Sequence, residues 1–326
     1  MTADGRFCRD AGIEVPLICG AMYPCTNPEL VAAVSGAGAI GIVQPISLTY
    51  VYGHEFREGL RLIKRHTQRP FGMNALIEQS SRRYHEQMLR WVEVAIEEGV
   101  RFFITSLGNP RWVCERVQAA GGVVYHDVTE RKWALKGRDA GVNGLIGVNA
   151  RAGGHPGPRT AEALLQEVGD LGLPVVCAGG IGDVEGFVEA LRLGYAGVQM
   201  GTRFIATDEC GASAAYKRAI VQANENDIVL TERITGVPVA VINTPFIRRM
   251  GYKAGPVARW MLRGRRTKRW MRMWYALSSL RRLKRASLDA TGTEDYWQAG
   301  KSVASITRIE PAGAIVKQCR HRLAHA

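Results

Sequence analysis

The chain of 326 residues carries 43 Lys and Arg against 30 Asp and Glu, a net charge of +13, and 46% of its residues are hydrophobic. This composition excludes a mainly disordered protein, and no window approaches the roughly 18 consecutive apolar residues of a transmembrane helix. The seven cysteines are odd in number and form no CxxC pair, which argues against a disulfide framework and a zinc knuckle. We therefore expect a protein of the reducing cytoplasm.

Short apolar runs alternate with helical patterns from residue 15 to about residue 230. The runs are rich in β-branched residues and bounded by Gly, Pro or Asn, which is typical of buried parallel strands. The amphipathic segments between them open with Asn, Thr or Pro and close with Gly, as helices do. The predicted strands cover residues 15–20, 39–44, 71–76, 101–106, 121–127, 143–148, 174–179 and 196–201.

Eight strands with seven intervening helices predict an α/β protein with a (β/α)8 TIM barrel, whose eighth outer helix has still to be found. A doubly wound sheet uses the same units, but eight evenly spaced repeats favour a closed barrel. We predict a barrel over 1–232, a basic and aromatic helical insertion over 233–290, and a C-terminal segment over 291–326 that completes the barrel.

The positive charge is concentrated in the predicted insertion. Residues 233–288 contain fifteen Lys and Arg but no Asp or Glu, so the rest of the chain is close to neutral. Trp260, Trp270, Trp274 and Tyr275 lie among these cations. The pattern fits a structural cap, an anionic carrier or coenzyme, or the surface of an anionic membrane to which the protein would be peripheral. Single-stranded nucleic acid is the least favoured partner.

Two glycine-rich loops follow neighbouring strands at the end of the barrel where active sites lie. Ala178-Gly179-Gly180-Ile181-Gly182-Asp183 follows the seventh strand, and Met200-Gly201-Thr202-Arg203 follows the eighth. Barrels frequently bind phosphate at this pair of loops, because backbone N–H groups and a helix N-terminus point at the anion. Tight turns that need a positive φ are the alternative. We favour a phosphate site.

The loop after the sixth strand carries a histidine, His155, between Gly154 and Pro156. A histidine flanked in this way is exposed at the mouth of the barrel, and its ordinary pKa suits proton transfer near neutral pH. His126, at the end of the fifth strand, is the second candidate. No nucleophile elbow and no HxH or HExxH metal spacing is present, so the sequence predicts neither an acyl-enzyme nor a metal site.

Five motifs in chain order resemble those of the FMN-dependent nitronate monooxygenases, once called 2-nitropropane dioxygenases. That family includes the flavin-linked enoyl-acyl carrier protein reductases. The likeness runs through residues 15–230 and resumes near 297–317. Its markers are Gly20-Ala21-Met22, Gly72-Met73-Asn74, Ala152-Gly153-Gly154-His155, Ala178-Gly179-Gly180-Ile181 and Met200-Gly201-Thr202-Arg203-Phe204.

The resemblance implies FMN as the cofactor and His155 as the catalytic residue. The family's FMN phosphate site corresponds here to Ala178, Gly179, Gly180, Gly201 and Thr202. The flavin ring would contact the backbone of Ala21 and Met22 and the side chain of Asn74, and Gly153 and Gly154 would let the His155 loop approach it.

Two reactions of this family compete. The favoured one is the oxidation of an alkyl nitronate with O2 to a carbonyl compound and nitrite. The alternative is an NAD(P)H-dependent reduction of an enoyl-thioester, carried by acyl carrier protein or CoA, or of a quinone. The anionic carriers of the second reaction would suit the basic insertion. The sequence leaves the substrate, the choice between NADH and NADPH, and the oligomeric state, including a homodimer, open.

Overall fold

A computed structural model of the chain describes residues 5–78, 81–255, 282–288 and 296–325. Eight parallel strands close into a barrel in chain order, and the last strand pairs with the first. No helix in these ranges is long and apolar enough to cross a membrane. The strands are β1 (Leu17–Cys19), β2 (Ile40–Val43), β3 (Gly72–Leu76), β4 (Phe102–Ser106), β5 (Val123–Val128), β6 (Gly144–Val148), β7 (Val175–Ala178) and β8 (Gly197–Met200).

Helices connect the strands and surround the barrel, as the sequence predicts. Several begin at a side chain that accepts a backbone N–H bond of the first turn, among them Asn27, Thr160 and Asp183. The helices are α1 (Arg6–Ala11), α2 (Pro28–Gly36), α3 (Phe56–His66), α4 (Arg82–Glu97), α5 (Arg111–Ala119), α6 (Arg131–Asp139), α7 (Ala161–Val168), α8 (Val184–Arg192), α9 (Thr202–Ile205), α10 (Ala214–Gln222), α11 (Pro245–Met250) and α12 (Ala312–Ala324). The C-terminal helix α12 packs against α8 and α2 and thereby closes the outer ring.

The barrel interior is plugged at its N-terminal end by aromatic residues. Phe7 of α1 is fully buried, with its ring 6.0 Å from that of Phe102 and 5.5 Å from that of Tyr125. The larger core lies between the strands and the outer helices. The N-terminal end of the barrel is therefore closed by the protein's own side chains.

A two-stranded antiparallel sheet lies beside that mouth, formed by β9 (Ile228–Thr231) and β10 (Val239–Ile242). We call β9, β10 and their connection the 228–242 hairpin. It packs around its own small core with α11 and with the helical residues 282–288. The middle of the predicted basic insertion, residues 256–281 with Trp260, Trp270, Trp274 and Tyr275, lies outside the described residues.

Candidate active site

The loops after β6 and β7 are tied together by a buried asparagine, Asn149, immediately after β6. Its side-chain Nδ2 donates to the backbone oxygen of Gly179 at 2.9 Å, and its Oδ1 accepts from the backbone N–H of Arg151 at 2.8 Å. The side chain is fully buried. Sequence reasoning gave Asn149 no role, yet it sets the position of the predicted phosphate loop relative to the histidine loop.

Gly179 and Gly180 adopt backbone conformations that no other residue type would accept here. Their φ angles are +120° and +80°. A Cβ atom on Gly179 would lie 2.5 Å from Oδ1 of Asn149, and one on Gly180 would lie 2.7 Å from Nε of Arg151. These two glycines do have the positive φ that a tight turn requires, which was the alternative to a phosphate site. Close packing, however, excludes a side chain at both positions as well. The result is a stretch of bare backbone at the mouth, which is what an anion cradle requires.

The glycine after β8 differs from this pair. Gly201 has a φ of −112°, and a Cβ atom there would meet only the side chain of Met22, at an ordinary 3.6 Å. The protein itself therefore tolerates a small side chain at Gly201, and only a ligand would exclude one. This contact also places Met22, from the loop after β1, next to the loop after β8.

The tail and the loops after β6 and β8 converge at Gly300. The backbone N–H of Gly300 donates to Oγ1 of Thr202 at 3.0 Å. A Cβ atom on Gly153 would lie 2.9 Å from the Gly300 nitrogen. The two backbone segments can therefore pass this closely only because both residues are glycines. The structure thus brings Gly153 and Thr202, which belong to the sequence motifs, to one side of the mouth together with the C-terminal tail, where the likeness to the family resumes.

Asn74, Ala178 and Ala21 lie on the inward side of the barrel. Asn74 pairs across β3 and β4 with Ile104, which belongs to the interior cluster together with Ala178. Ala21 packs on the upper edge of the same cluster. Within the described residues the Asn74 amide makes no hydrogen bond, so it is available to a ligand.

Two further polar groups face the interior, and sequence reasoning missed both. Asp127 lies two residues after Tyr125 on β5, on the same inward face, and Gln199 pairs with the interior residue Ile18. Asp127 Oδ1 and Gln199 Oε1 are buried without a hydrogen-bond partner. Burial raises the pKa of Asp127 from 3.8 to about 7. Buried polar atoms are almost always bonded to protein or to ordered water, so these two oxygens leave room for a bound water or a polar ligand.

His126 faces the other way, so it is not part of the mouth. Its Nδ1 is 2.8 Å from Oγ1 of Thr105, and its ring lies against Gly137 of α6, between the barrel and the outer helices. Burial lowers the pKa of His126 to about 4, so the ring is neutral. The strand alternation that turns Asp127 inward turns His126 outward.

His155 lies in the loop after β6, where the sequence predicts it, and its side chain is exposed. Its Nε2 is 3.2 Å from Oγ1 of Thr235 in the 228–242 hairpin. Although solvent reaches the ring, the surrounding loops displace much of its hydration, and this desolvation lowers the pKa of His155 from 6.5. The imidazole is therefore neutral at pH 7 and able to accept a proton.

No group of three or more His, Cys, Asp or Glu side chains that could hold a metal ion occurs in the described ranges. The polar groups that the described residues bring to this mouth are the side chains of His155, Asp127, Asn74 and Gln199 and the bare backbone of Gly179 and Gly180.

Comparison with known proteins identifies the family. The nitronate monooxygenase family model matches residues 7–321. The chain is 32% identical over 243 residues to (3aS,4S,5R,7aS)-5-hydroxy-7a-methyl-1-oxo-octahydro-1H-indene-4-carboxyl-CoA dehydrogenase of Mycobacterium tuberculosis, covering 73% of this chain but only 66% of that protein. It is 31% identical to a probable nitronate monooxygenase of Staphylococcus saprophyticus, covering 73% of this chain and 78% of that one.

Solved structures agree. FabK from Thermotoga maritima superposes with a TM-score of 0.79 at 28% identity, covering 98% of this chain and 97% of that one. Nitroalkane oxidase from Streptomyces ansochromogenes gives a TM-score of 0.76 at 25% identity, covering 98% of both chains. The family that the five motifs predict is confirmed: this chain belongs to the nitronate monooxygenase family of flavin-linked oxidoreductases.

Proposed function

We propose that this chain is an FMN-dependent nitronate monooxygenase that converts alkyl nitronates and O2 into carbonyl compounds and nitrite. The observation that carries the proposal is the arrangement at one barrel mouth. A glycine cradle, two unpartnered inward oxygens on Asp127 and Gln199, and the exposed neutral His155 lie around the same opening. Its seven free cysteines suit a cytoplasmic enzyme.

The residues present fit FMN. The bare backbone of Gly179 and Gly180 suits its phosphate, together with Ala178, Gly201 and Thr202. The ring system would contact Ala21, Met22 and Asn74. Because Gly153 and Gly154 have no side chains, the His155 loop could approach the ring closely. When bound, FMN supplies the electron transfer between the nitronate carbon and dioxygen.

His155 performs the proton chemistry. A neutral nitroalkane must lose its α-proton before it becomes a nitronate, and a neutral imidazole at the mouth accepts that proton at its unprotonated ring nitrogen. A positioned general base of this kind contributes roughly 10²–10⁴-fold. With a preformed nitronate the same ring only orients the substrate oxygens by hydrogen bonding.

Anaerobic mixing tests the proposal. The purified protein is mixed without oxygen with propionate 3-nitronate and, separately, with NADH and NADPH. We expect the nitronate alone to bleach the flavin absorbance. Bleaching by a pyridine nucleotide and not by the nitronate would overturn nitronate oxidation as the reaction.

A second candidate is reduction or oxidation of an acyl-CoA or acyl carrier protein thioester. The observation that favours it is the CoA dehydrogenases of Mycobacterium tuberculosis and Rhodococcus jostii, at 32% and 31% identity. The acid-free basic stretch 233–288 would suit their anionic carrier. Adding CoA esters to the same anaerobic experiment distinguishes it. For a reduction, a flavin bleached by NADH or NADPH would be reoxidised by an enoyl-CoA, and for an oxidation the acyl-CoA alone would bleach the flavin.

A further inference from the structure

The 228–242 hairpin, which is not part of the barrel, holds the histidine loop at two points. The backbone N–H of Ala240 donates to the oxygen of Gly154 at 2.7 Å. Next to this bridge, Nε2 of His155 is 3.2 Å from Oγ1 of Thr235, a half-buried residue of the hairpin turn. The ring is therefore held by an element eighty residues away in the chain.

The direction of the His155–Thr235 hydrogen bond follows from the bonds of the threonine. Thr235 Oγ1 donates to the backbone oxygen of Val237 at 2.9 Å, and a carbonyl oxygen can only accept. A hydroxyl has one hydrogen, so toward His155 the same oxygen can only accept. Nε2 must then carry the hydrogen, and in the neutral ring Nδ1 is unprotonated. Within the part of the chain that the structure describes, Nδ1 makes no hydrogen bond.

We propose that Thr235 is a positioning residue that holds His155 as the Nε2–H tautomer and makes Nδ1 the atom that accepts the substrate's α-proton. This inference rests on the proposed function for the role of His155 but not for the tautomer itself. As the proton leaves the α-carbon, its bonding pair stays on the substrate as the nitronate, and the imidazole becomes a cation. The cation still donates Nε2–H to Thr235, so the contact is kept through the transfer.

The charged side chains of both elements are engaged elsewhere. On the histidine loop, Arg151 pairs with Glu225 and Arg159 with Glu167. On the hairpin, Arg233 donates to the oxygen of Met250, and Glu232 accepts from the N–H of Ala254. Desolvation is accordingly the cause of the lowered pKa of His155. A pH effect of changing Thr235 therefore reports on the hydrogen bond and not on a neighbouring charge.

The test uses three variants of the flavin-loaded enzyme. Thr235→Val removes the hydroxyl at nearly constant shape, Thr235→Ser restores it, and Thr235→Ala replaces the valine variant if that one does not fold. Thr231→Val is the control in the same hairpin, because it removes a buried hydroxyl that bonds Gly251, Tyr252 and Arg233 and not His155.

We expect Thr235→Val to lower kcat on a neutral nitroalkane roughly 5- to 10-fold, the size of one lost neutral hydrogen bond, and to affect preformed nitronates less. The acid limb of its pH profile should move to lower pH, because the imidazolium loses an acceptor. Thr235→Ser should restore the wild-type kcat and the wild-type pH profile, and Thr231→Val should leave kcat and the pH profile unchanged. Wild-type kcat and pH profile in Thr235→Val would overturn the positioning role.

A spectroscopic arm is independent of turnover. Side-chain 15N spectra of histidine-labelled protein, with His155→Asn to identify the signals, should show the Nε2–H tautomer in wild type and Thr235→Ser. Thr235→Val should show a mixture. An Nδ1–H tautomer in wild type would overturn the inference. If the nitronate does not bleach the flavin of the wild-type protein, the proposed function fails while the tautomer result stands. If His155→Asn retains full activity on neutral nitroalkanes, the proton-accepting role of Nδ1 fails.

Discussion

The two ends of the barrel interior are built from the same strands and have opposite character. At the N-terminal end Phe7, Phe102 and Tyr125 fill the space, and the Tyr125 hydroxyl donates to Asp10 at 2.9 Å. At the C-terminal end Asp127, only two residues after Tyr125 on the same face, leaves Oδ1 buried without a partner, as Gln199 leaves Oε1. The first end satisfies its polar groups within the protein, while the second leaves two oxygens to a bound water or a ligand. We therefore assign stability to the first end and propose the second as the place of the chemistry.

The sharpest contrast comes from His155→Asn at the mouth. It should leave FMN content unchanged and lower turnover of neutral nitroalkanes by roughly 10²–10⁴-fold, because asparagine cannot accept the α-proton. Preformed nitronates should retain more activity. Steady-state assays measure this with one compound supplied in two forms, the neutral nitroalkane and its preformed nitronate. Equal losses on both would leave His155 an orienting role only.

Phe7→Ala tests the closed end. Truncating this fully buried ring should lower the free energy of unfolding by about 3–5 kcal/mol, since it removes apolar contact and leaves a cavity. The affinity of the folded protein for FMN should not change. Urea unfolding and fluorescence titration with FMN give the two quantities, with Phe7→Leu as the milder control. A large loss of FMN affinity would mean that the two ends are not separable.

Asp127→Asn tests the unsatisfied end through the pH dependence of stability. The pKa of Asp127 is about 7 in the folded chain and 3.8 ordinarily, so the folded state binds the proton more tightly between these values. The contribution of Asp127 to the stability of the wild type should therefore fall as the pH rises from about 4 to 7, and level off above. An asparagine side chain does not titrate, so Asp127→Asn lacks this pH-dependent contribution to stability.

Urea unfolding of the flavin-free proteins at pH 5 and pH 8 measures the effect. Relative to wild type, Asp127→Asn should be more stable at pH 8 than at pH 5. An identical pH dependence in both proteins would show that Asp127 titrates normally and that its carboxylate is solvated or paired.

The smallest effect on the mouth should come from the basic stretch. Reversing Arg265, Arg266, Lys268 and Arg269 to Glu should leave FMN content unchanged. It should weaken binding to acyl-CoA or to acidic lipid vesicles, and the wild-type interaction should fade between low and physiological salt as charges are screened. Unchanged KM for acyl-CoA and unchanged vesicle binding would return the stretch to a structural cap.

The barrel could be predicted closely because its signals are local. All eight strands lie within the predicted apolar runs or one residue beyond them, since each run is bounded by turn residues. His155 and the glycine loops follow from the rule that barrel sites lie after strands. Which residues of a strand face the barrel interior was harder to predict. His126 and Asp127 are adjacent polar residues in one strand, and the sequence does not say which faces inward.

The contacts that hold the site together could not be predicted because they are non-local. Thr235 meets His155 across eighty residues, and Gly300 meets Gly153 and Thr202 from the C-terminal tail. Neither pair has a spacing rule that marks it in the sequence. The second strand of the hairpin, Val239–Ile242, lies inside the stretch predicted as a helical insertion, and its packing partners lie elsewhere in the chain.

The flavin content of Gly180→Val tests most directly whether the mouth is the FMN site. Gly172→Val is the matched control: its φ of +72° is close to the +80° of Gly180, but a Cβ atom there meets nothing within 4 Å. Both variants place a valine at a similar positive φ, and only Gly180→Val fills the cradle beside Arg151. Circular dichroism verifies folding, and FMN released by denaturation is measured per chain. We predict that wild type and Gly172→Val release FMN and that folded Gly180→Val releases little; full FMN in Gly180→Val would contradict the account.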